Sequence, residues 1–530
     1  MSARRGWAAG VVLVALVLVA LLWRREVATD RGERAGLPPV LGSEEAAPEE
    51  ALAPVASEAP RTERPATSTL TAPRPITPEG EVDPCGDPPA IVRHDRLDEL
   101  VNARLSELRD RARLALSSPE TSPALRSALE AVLARAETDL AVVEPALSAP
   151  DRNEDGFDLV SGLYLTLAVR LDRSVDRSAD RSVEIAIDRA SRAAPADPAP
   201  LVLRALRAMR AHEHRPAREA LLEAFARDRA EPAIAIELAY ALARTTEHAR
   251  TLEAVDAYLA IYPGDPEALR LRARTARRAA GVGEAARPTR VRGVTLLHGR
   301  DVAPDDAAAA GALIATALDE AARLLGLPRR EELAVLVHRD HEAMLGAMCG
   351  QSWTAAAYDG VLHLEAGLLG SGSDPTMRAI VLRHETLHAA LHDRPRDVPY
   401  WADEGIAQHF APEVASGSAL DPLAARLVDG RGEDDLARLV RDHTYVPLAS
   451  LDGAFLDIDD PDDARLAYHQ SLAMIEWLVA QRGERGIAEL IARLEAHPEA
   501  APRDPGALLG EIARRPFDGE VLIAYLAARR

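Results

Sequence analysis

The chain has 530 residues, 84 acidic against 63 basic side chains and a formal net charge of −21, and it is 47% hydrophobic with only 4% aromatics. That length excludes a single small domain and leaves room for two or three with aliphatic, alanine-rich cores. The acidic excess excludes a long nucleic-acid-binding surface, because affinity for phosphates comes from clustered positive charge. Lysine is absent, so every basic residue is arginine, a bias that fits a GC-rich bacterial genome. Cys85 and Cys349 are too few for a disulfide framework or a thiolate zinc cage, and they leave one bridge open if the chain is exported.

Residues 7–23, WAAGVVLVALVLVALLW, form an uncharged apolar run between Arg4-Arg5 and Arg24-Arg25. As a helix it covers about 25 Å, near the lower limit for crossing a bilayer, and Trp7 and Trp23 stand where an aromatic belt places them. A cleaved signal peptide is the rival, but no small-x-small cleavage site follows and the run exceeds a typical h-region. Residues 1–26 therefore read as an uncleaved signal anchor. The short basic N-terminus would stay cytoplasmic, which puts the bulk of a single-pass chain in the periplasm or outside the cell. Residues 27–90, with 12 prolines between Pro38 and Pro89, cannot pack a core and read as a semi-rigid spacer.

Residues 91–285 are rich in Ala, Leu, Arg and Glu with helical periodicity. Segments opening with Asp197-Pro198, Glu231-Pro232 and Asp265-Pro266 start 34 residues apart, and Ala205, Ala239 and Ala273 keep the same step. This resembles the tetratricopeptide repeat, a pair of antiparallel helices of that period. About two and a half units match, without the large aromatic near the start of the first helix. Two readings stand side by side: a concave groove for a peptide or protein partner, and a spacer on which the next domain packs. The DRSVDRSADRS run at 172–182 puts Asp172, Asp176 and Asp180 on one helical face, expected to be solvated.

From residue 286 the pattern becomes mixed. Strands are expected at 290–299, 332–339 and 355–365, with a long alanine-rich helix across 304–325. Within residues 375–411, His384-Glu385-Thr386-Leu387-His388 is an HExxH motif at helical spacing. Four residues turn a helix by about 400°, so His384 and His388 share a face and can place two imidazole nitrogens on one ion. Glu385 lies beside them, able to deprotonate a water without being a ligand. Sixteen residues beyond His388, the segment Tyr400-Trp401-Ala402-Asp403-Glu404-Gly405 reads as the start of a second helix, and Glu404 is the natural third ligand. Asp403 points about 100° away from Glu404 and reads as a supporting or helix-start charge. His392 cannot meet the same ion from one straight helix and reads as a polar residue near the helix end. Gln408 sits one turn after Glu404, where its carbonyl could bond a ligand histidine.

HExxH followed by PxWxxEGxA resembles the gluzincin metallopeptidases, particularly the bacterial peptidase MA-like domains, over roughly residues 286–530. The resemblance implies one Zn2+ per chain held by His384, His388 and Glu404, with Glu385 as general base and proton shuttle for hydrolysis of a peptide or protein substrate. Residues 464–479 resemble that domain's downstream helix, where Tyr468 would face the site as an oxyanion donor. His469 is the lesser candidate, and the alternative for Tyr468 is simple core packing. Neutral His384 and His388 are needed to bind a metal, so activity should fall on acidification. The expected class is mainly α with an α+β C-terminal domain: helical-hairpin repeats followed by a zincin-like metallopeptidase domain. The rival function is a scaffold whose repeats bind partners and whose peptidase-like domain is inactive.

Overall fold

The computed structural model describes residues 95–119, 121–133, 154–172, 180–283, 285–348, 356–370, 372–392, 398–411, 445–451, 461–496 and 505–528. The apolar run 7–23, the linker 27–90, both cysteines and residues 173–179 of the Asp-Arg-Ser run lie outside them. Among the described residues the protein is mainly helical with a small mixed sheet, and no helix is long and apolar enough to cross a membrane.

Nine helices come first among the described residues: α1 (Asp95–Ser117), α2 (Pro123–Leu133), α3 (Glu154–Asp172), α4 (Asp180–Ala193), α5 (Ala199–Arg210), α6 (His214–Arg227), α7 (Pro232–Ala243), α8 (His248–Leu259) and α9 (Pro266–Val282). The 34-residue step has a local cause. Asp197, Glu231 and Asp265 each accept the backbone N–H two residues on, at 3.0, 3.2 and 3.0 Å, with a proline following each acid. Such caps contribute about 1 kcal/mol each, and proline there removes an N–H that would have no helical partner anyway. Helices α5 and α6 pack together, as do α7 and α8, around Leu201, Leu206, Leu221, Ile234 and Leu238. Ala205 and Ala239 are fully buried in these contacts, whereas Ala273 is only half-buried, so the expected small-residue contact is tight in two units and loose in the third. Asp172 also departs from expectation. It is no solvated face residue but a nearly buried acid paired with Arg207 at 2.8 Å and Arg210 at 2.5 Å on α5.

The remaining chain forms β1 (Arg287–Val291), β2 (Val294–His298), α10 (Pro304–Leu325), β3 (Leu333–His338), α11 (His341–Met348), β4 (Ala356–Tyr358), β5 (Leu362–Glu365), α12 (Ala366–Leu369), α13 (Pro375–Leu391) and α14 (Tyr400–Phe410). After them come α15 (Pro461–Arg482), α16 (Arg485–Ala496), α17 (Pro505–Ala513) and α18 (Gly519–Ala527). The sheet order is β1-β2-β3-β5-β4, with β2, β3 and β5 parallel and each outer strand antiparallel to its neighbour.

Two of the expected strands are hairpins instead. Arg292 and Gly293 both have positive φ, +48° and +88°, which is the two-residue primed turn that matches strand twist. It folds 290–299 back on itself, with Val291 opposite Val294. A Cβ on Gly293 would lie 2.2 Å from the Glu331 carbonyl oxygen, so nothing larger fits. In the same way Gly360, at φ +105°, breaks the expected 355–365 strand into β4 and β5.

Strand β3 is buried on both faces, and its alternation divides two cores. Leu333, Val335 and Val337 face α10 through Ala307, Ile314 and Leu318. Ala334 and Leu336 face the other side, with Val282 of α9. His338 continues that second face from β3. Helix α13 lies over β4 and β5 and against α10, and α14 packs between α13 and α15. In helix α15 residues 467–478 are buried all round, because α14 and the C-terminal helices enclose it. Gly405 sets the α14–α15 approach, since a Cβ there would stand 2.6 Å from the Ser471 carbonyl oxygen.

Candidate metal centre

Helix α13 starts with Asp374 accepting the Thr376 N–H at 2.8 Å and Pro375 in its first turn, and then presents His384, Glu385 and His388 two to four turns later. Its middle is tied to α14 by Arg383, whose guanidinium donates to the Phe410 carbonyl oxygen at 3.1 and 3.3 Å, stacks on the Phe410 ring and pairs with Glu320 of α10. The two helices that carry the candidate ligands are therefore fixed to each other before any ion is considered.

His384, His388 and Glu404 converge. The two histidine Nε2 atoms are 3.2 Å apart, and Glu404 Oε2 is 3.4 Å from His384 Nε2 and 3.7 Å from His388 Nε2. Nitrogen and oxygen ligands at about 2.0–2.2 Å from one tetrahedral ion stand roughly 3.3–3.5 Å apart. The triangle fits a single ion within a few tenths of an ångström. All three side chains are at most 3% exposed, and Glu404 Oε2 has no hydrogen-bond partner among the described residues. Leaving a buried carboxylate oxygen without a partner costs about 1–3 kcal/mol or more, a cost that a cation at the centre of the triangle would remove.

A second trio, His388, His392 and Asp403, is also close enough to consider as a metal site. Its atoms, however, are engaged with each other. Asp403 Oδ1 lies 2.7 Å from His388 Nδ1 and Asp403 Oδ2 lies 2.7 Å from His392 Nε2. Such spacings are hydrogen bonds, shorter than ligands around one ion allow. Asp403 is thus a supporting carboxylate for the first trio, because a histidine whose Nδ1–H is held this way presents Nε2.

The electrostatics agree. Burial pulls the His388 imidazole down, but the Asp403 and Glu404 carboxylates outweigh it and carry it up to about 10. Burial pushes Glu404 well above the usual carboxylate range, helped by Asp403 and Glu385 and opposed by His388. Asp403 is held well below that range, since His388 and His392 together overcome its burial. Burial pushes Glu385 up to about 7, and its Oε2 has no hydrogen-bond partner among the described residues. Three buried carboxyl groups around two imidazoles make a site that favours a cation.

Tyr468 of α15 is 3% exposed and shares a side-chain hydrogen bond with Glu404. Gln408 does not bond a ligand histidine. Its amide donates to the carbonyl oxygens of Glu404 at 3.1 Å and Tyr468 at 3.0 Å, stitching α14 to α15. At His388 the place is already taken, because Asp403 holds Nδ1. Asp403 takes the supporting place expected of it, and its second partner is His392, whose signal was the third histidine at a four-residue step in HETLHAALH.

No protein-family model matches the chain, and no curated protein matches it.

Proposed function

We propose that the protein is a membrane-anchored zinc metallopeptidase of gluzincin type. The observation that carries this reading is the buried His384–His388–Glu404 triangle with Glu385 beside it. An ion that displaced the protons of His388 and Glu404 would be held by two neutral imidazoles and one carboxylate with a fourth position open, the donor set of a catalytic rather than a structural zinc site. Zinc held there would polarise a substrate carbonyl and acidify a water.

The chain's own groups supply the rest. Glu385, pushed up to about 7 by burial, takes a proton from water at neutral pH and passes it to the leaving amine. Tyr468 orients Glu404 by its hydrogen bond, and we assign its phenol the further task of donating to the developing oxyanion. Strand β4 is the last of the sheet and lies next to α13, and we assign its outer edge to an extended substrate backbone. The tetratricopeptide-like helices would bind a protein partner or carry the catalytic part, and residues 7–23 would anchor the chain in the membrane.

The test is Glu385→Gln in the full-length chain with casein as general substrate. Zinc content should stay near the wild-type value while proteolysis is lost. Equal proteolysis by wild type and Glu385→Gln would overturn the assignment, and a zinc-loaded wild type without proteolysis would favour the scaffold reading.

A further inference from the structure

We propose that His392 is a positioning residue for His388, acting through Asp403. The inference rests on the metal-site reading above and deepens it. Helix α13 carries three histidines at a four-residue step, His384, His388 and His392. The first two rings meet edge to face at 4.9 Å between centroids, whereas His392 lies 6.4 Å from His388 and takes no part in the ligand triangle. Its backbone N–H closes the helix on the His388 carbonyl oxygen at 2.9 Å, which places it one turn after His388.

Asp403 is the link. An ionised carboxylate only accepts, so both of its imidazole partners must donate. His388 then carries its proton on Nδ1 and His392 on Nε2, each 2.7 Å from a different Asp403 oxygen. With Nδ1 held by Asp403, Nε2 is the nitrogen turned toward His384 and Glu404. Held by one donor, the carboxylate could still turn about its Cβ–Cγ bond. Held by two donors from successive turns of one helix, both oxygens are fixed. His392 therefore sets the carboxylate that sets the ligand. The Tyr358 ring of β4, 6.3 Å from the His392 ring, flanks it on the sheet side.

The test is the zinc dissociation constant of the full-length protein, measured by competition with a chromogenic chelator, for variants at 392 and 403. Removing a partner of this kind lowers metal affinity about 10–100-fold. His392→Leu should lose about 10-fold, and His392→Gln, which keeps an N–H donor, should recover most of that. His392→Glu, which accepts but does not donate, should lose at least as much as Leu. In an Asp403→Ala background, His392→Leu should add no further loss, which separates action through Asp403 from a general packing effect. Unchanged affinity in His392→Leu and His392→Glu, or an equal loss with and without Asp403, overturns the proposal while the metal site stands. A wild-type chain that takes up no zinc overturns both.

Discussion

Two buried histidine clusters among the described residues differ in what the ring nitrogens face. In the first, His384 and His388 turn Nε2 toward a Glu404 oxygen that has no hydrogen-bond partner among the described residues. In the second, at the junction of the first helical layer and the sheet, the nitrogens face each other. His338 Nε2 meets His363 Nδ1 at 2.9 Å with the rings stacked 3° from parallel, and His363 Nε2 meets Asp359 Oδ1 at 3.0 Å. Arg278 of α9 closes this chain on Asp359 and donates to the Ala243 carbonyl oxygen. A guanidinium repels the cation that a carboxylate attracts, so the second cluster ties helices to strands, whereas the first could hold an ion. Histidine content alone does not distinguish them. Nor does an unmatched acceptor, since His338 Nδ1 also has no hydrogen-bond partner among the described residues; charge does.

Four changes would break or sharpen this contrast. The largest effect is expected at Glu385→Gln, with peptidase activity lower by about 10²–10⁴-fold, the usual contribution of a general base, and zinc content retained. Activity assay and metal analysis on one preparation check it.

Arg278→Ala should act on the second cluster alone. It leaves Asp359 as a buried charge without its main partner, which costs about 3–5 kcal/mol, while zinc content stays as in wild type. Chemical denaturation gives the first number and metal analysis the second.

The third concerns acid. Burial, with Arg278 and His363 adding to it, lowers His248 from its usual 6.5 to about 4. As pH falls below 6.5 the unfolded chain takes up a proton that the folded chain refuses until about pH 4. Stability present above 6.5 is therefore lost through that window, by up to about 3 kcal/mol from this group. His338, lowered to about 2 chiefly by burial, acts in the same direction. Thermal midpoints between pH 7 and 5 should fall less steeply in His248→Gln than in wild type. Parallel curves would contradict the assignment.

The smallest is Gly405→Ala. Its Cβ would press on Ser471 and Ile475, costing about 1–3 kcal/mol of overpacking and loosening the α14–α15 contact that holds Tyr468 against Glu404. A lower thermal midpoint with weakened zinc retention is the expected pair of results.

Much of this was legible in the sequence because it rests on local rules. Asp197, Glu231 and Asp265 announce helix starts through their own caps, and helix α10 spans the expected 304–325. His384, His388 and Glu404 could be paired because helical spacing fixes two and a second short motif supplies the third. What escaped depends on contacts between distant segments or on backbone sign. Hairpins at Arg292-Gly293 and around Gly360 look like continuous apolar strands until the positive φ values are seen. Gln408 has the right offset from Glu404 to reach a ligand, and only the three-dimensional placement of Asp403 shows that His388 Nδ1 is already held. The Asp359–His363–His338 chain joins a turn to two strands, and no periodicity brings Arg278 to it from 81 residues away.

The central claim is tested most directly by the zinc content of the full-length chain after dialysis, beside Glu404→Ala and His338→Ala. The account predicts about one zinc per chain in wild type and in His338→Ala, and little or none in Glu404→Ala. No zinc in folded wild type after adding it back, or the same content in Glu404→Ala, would contradict it.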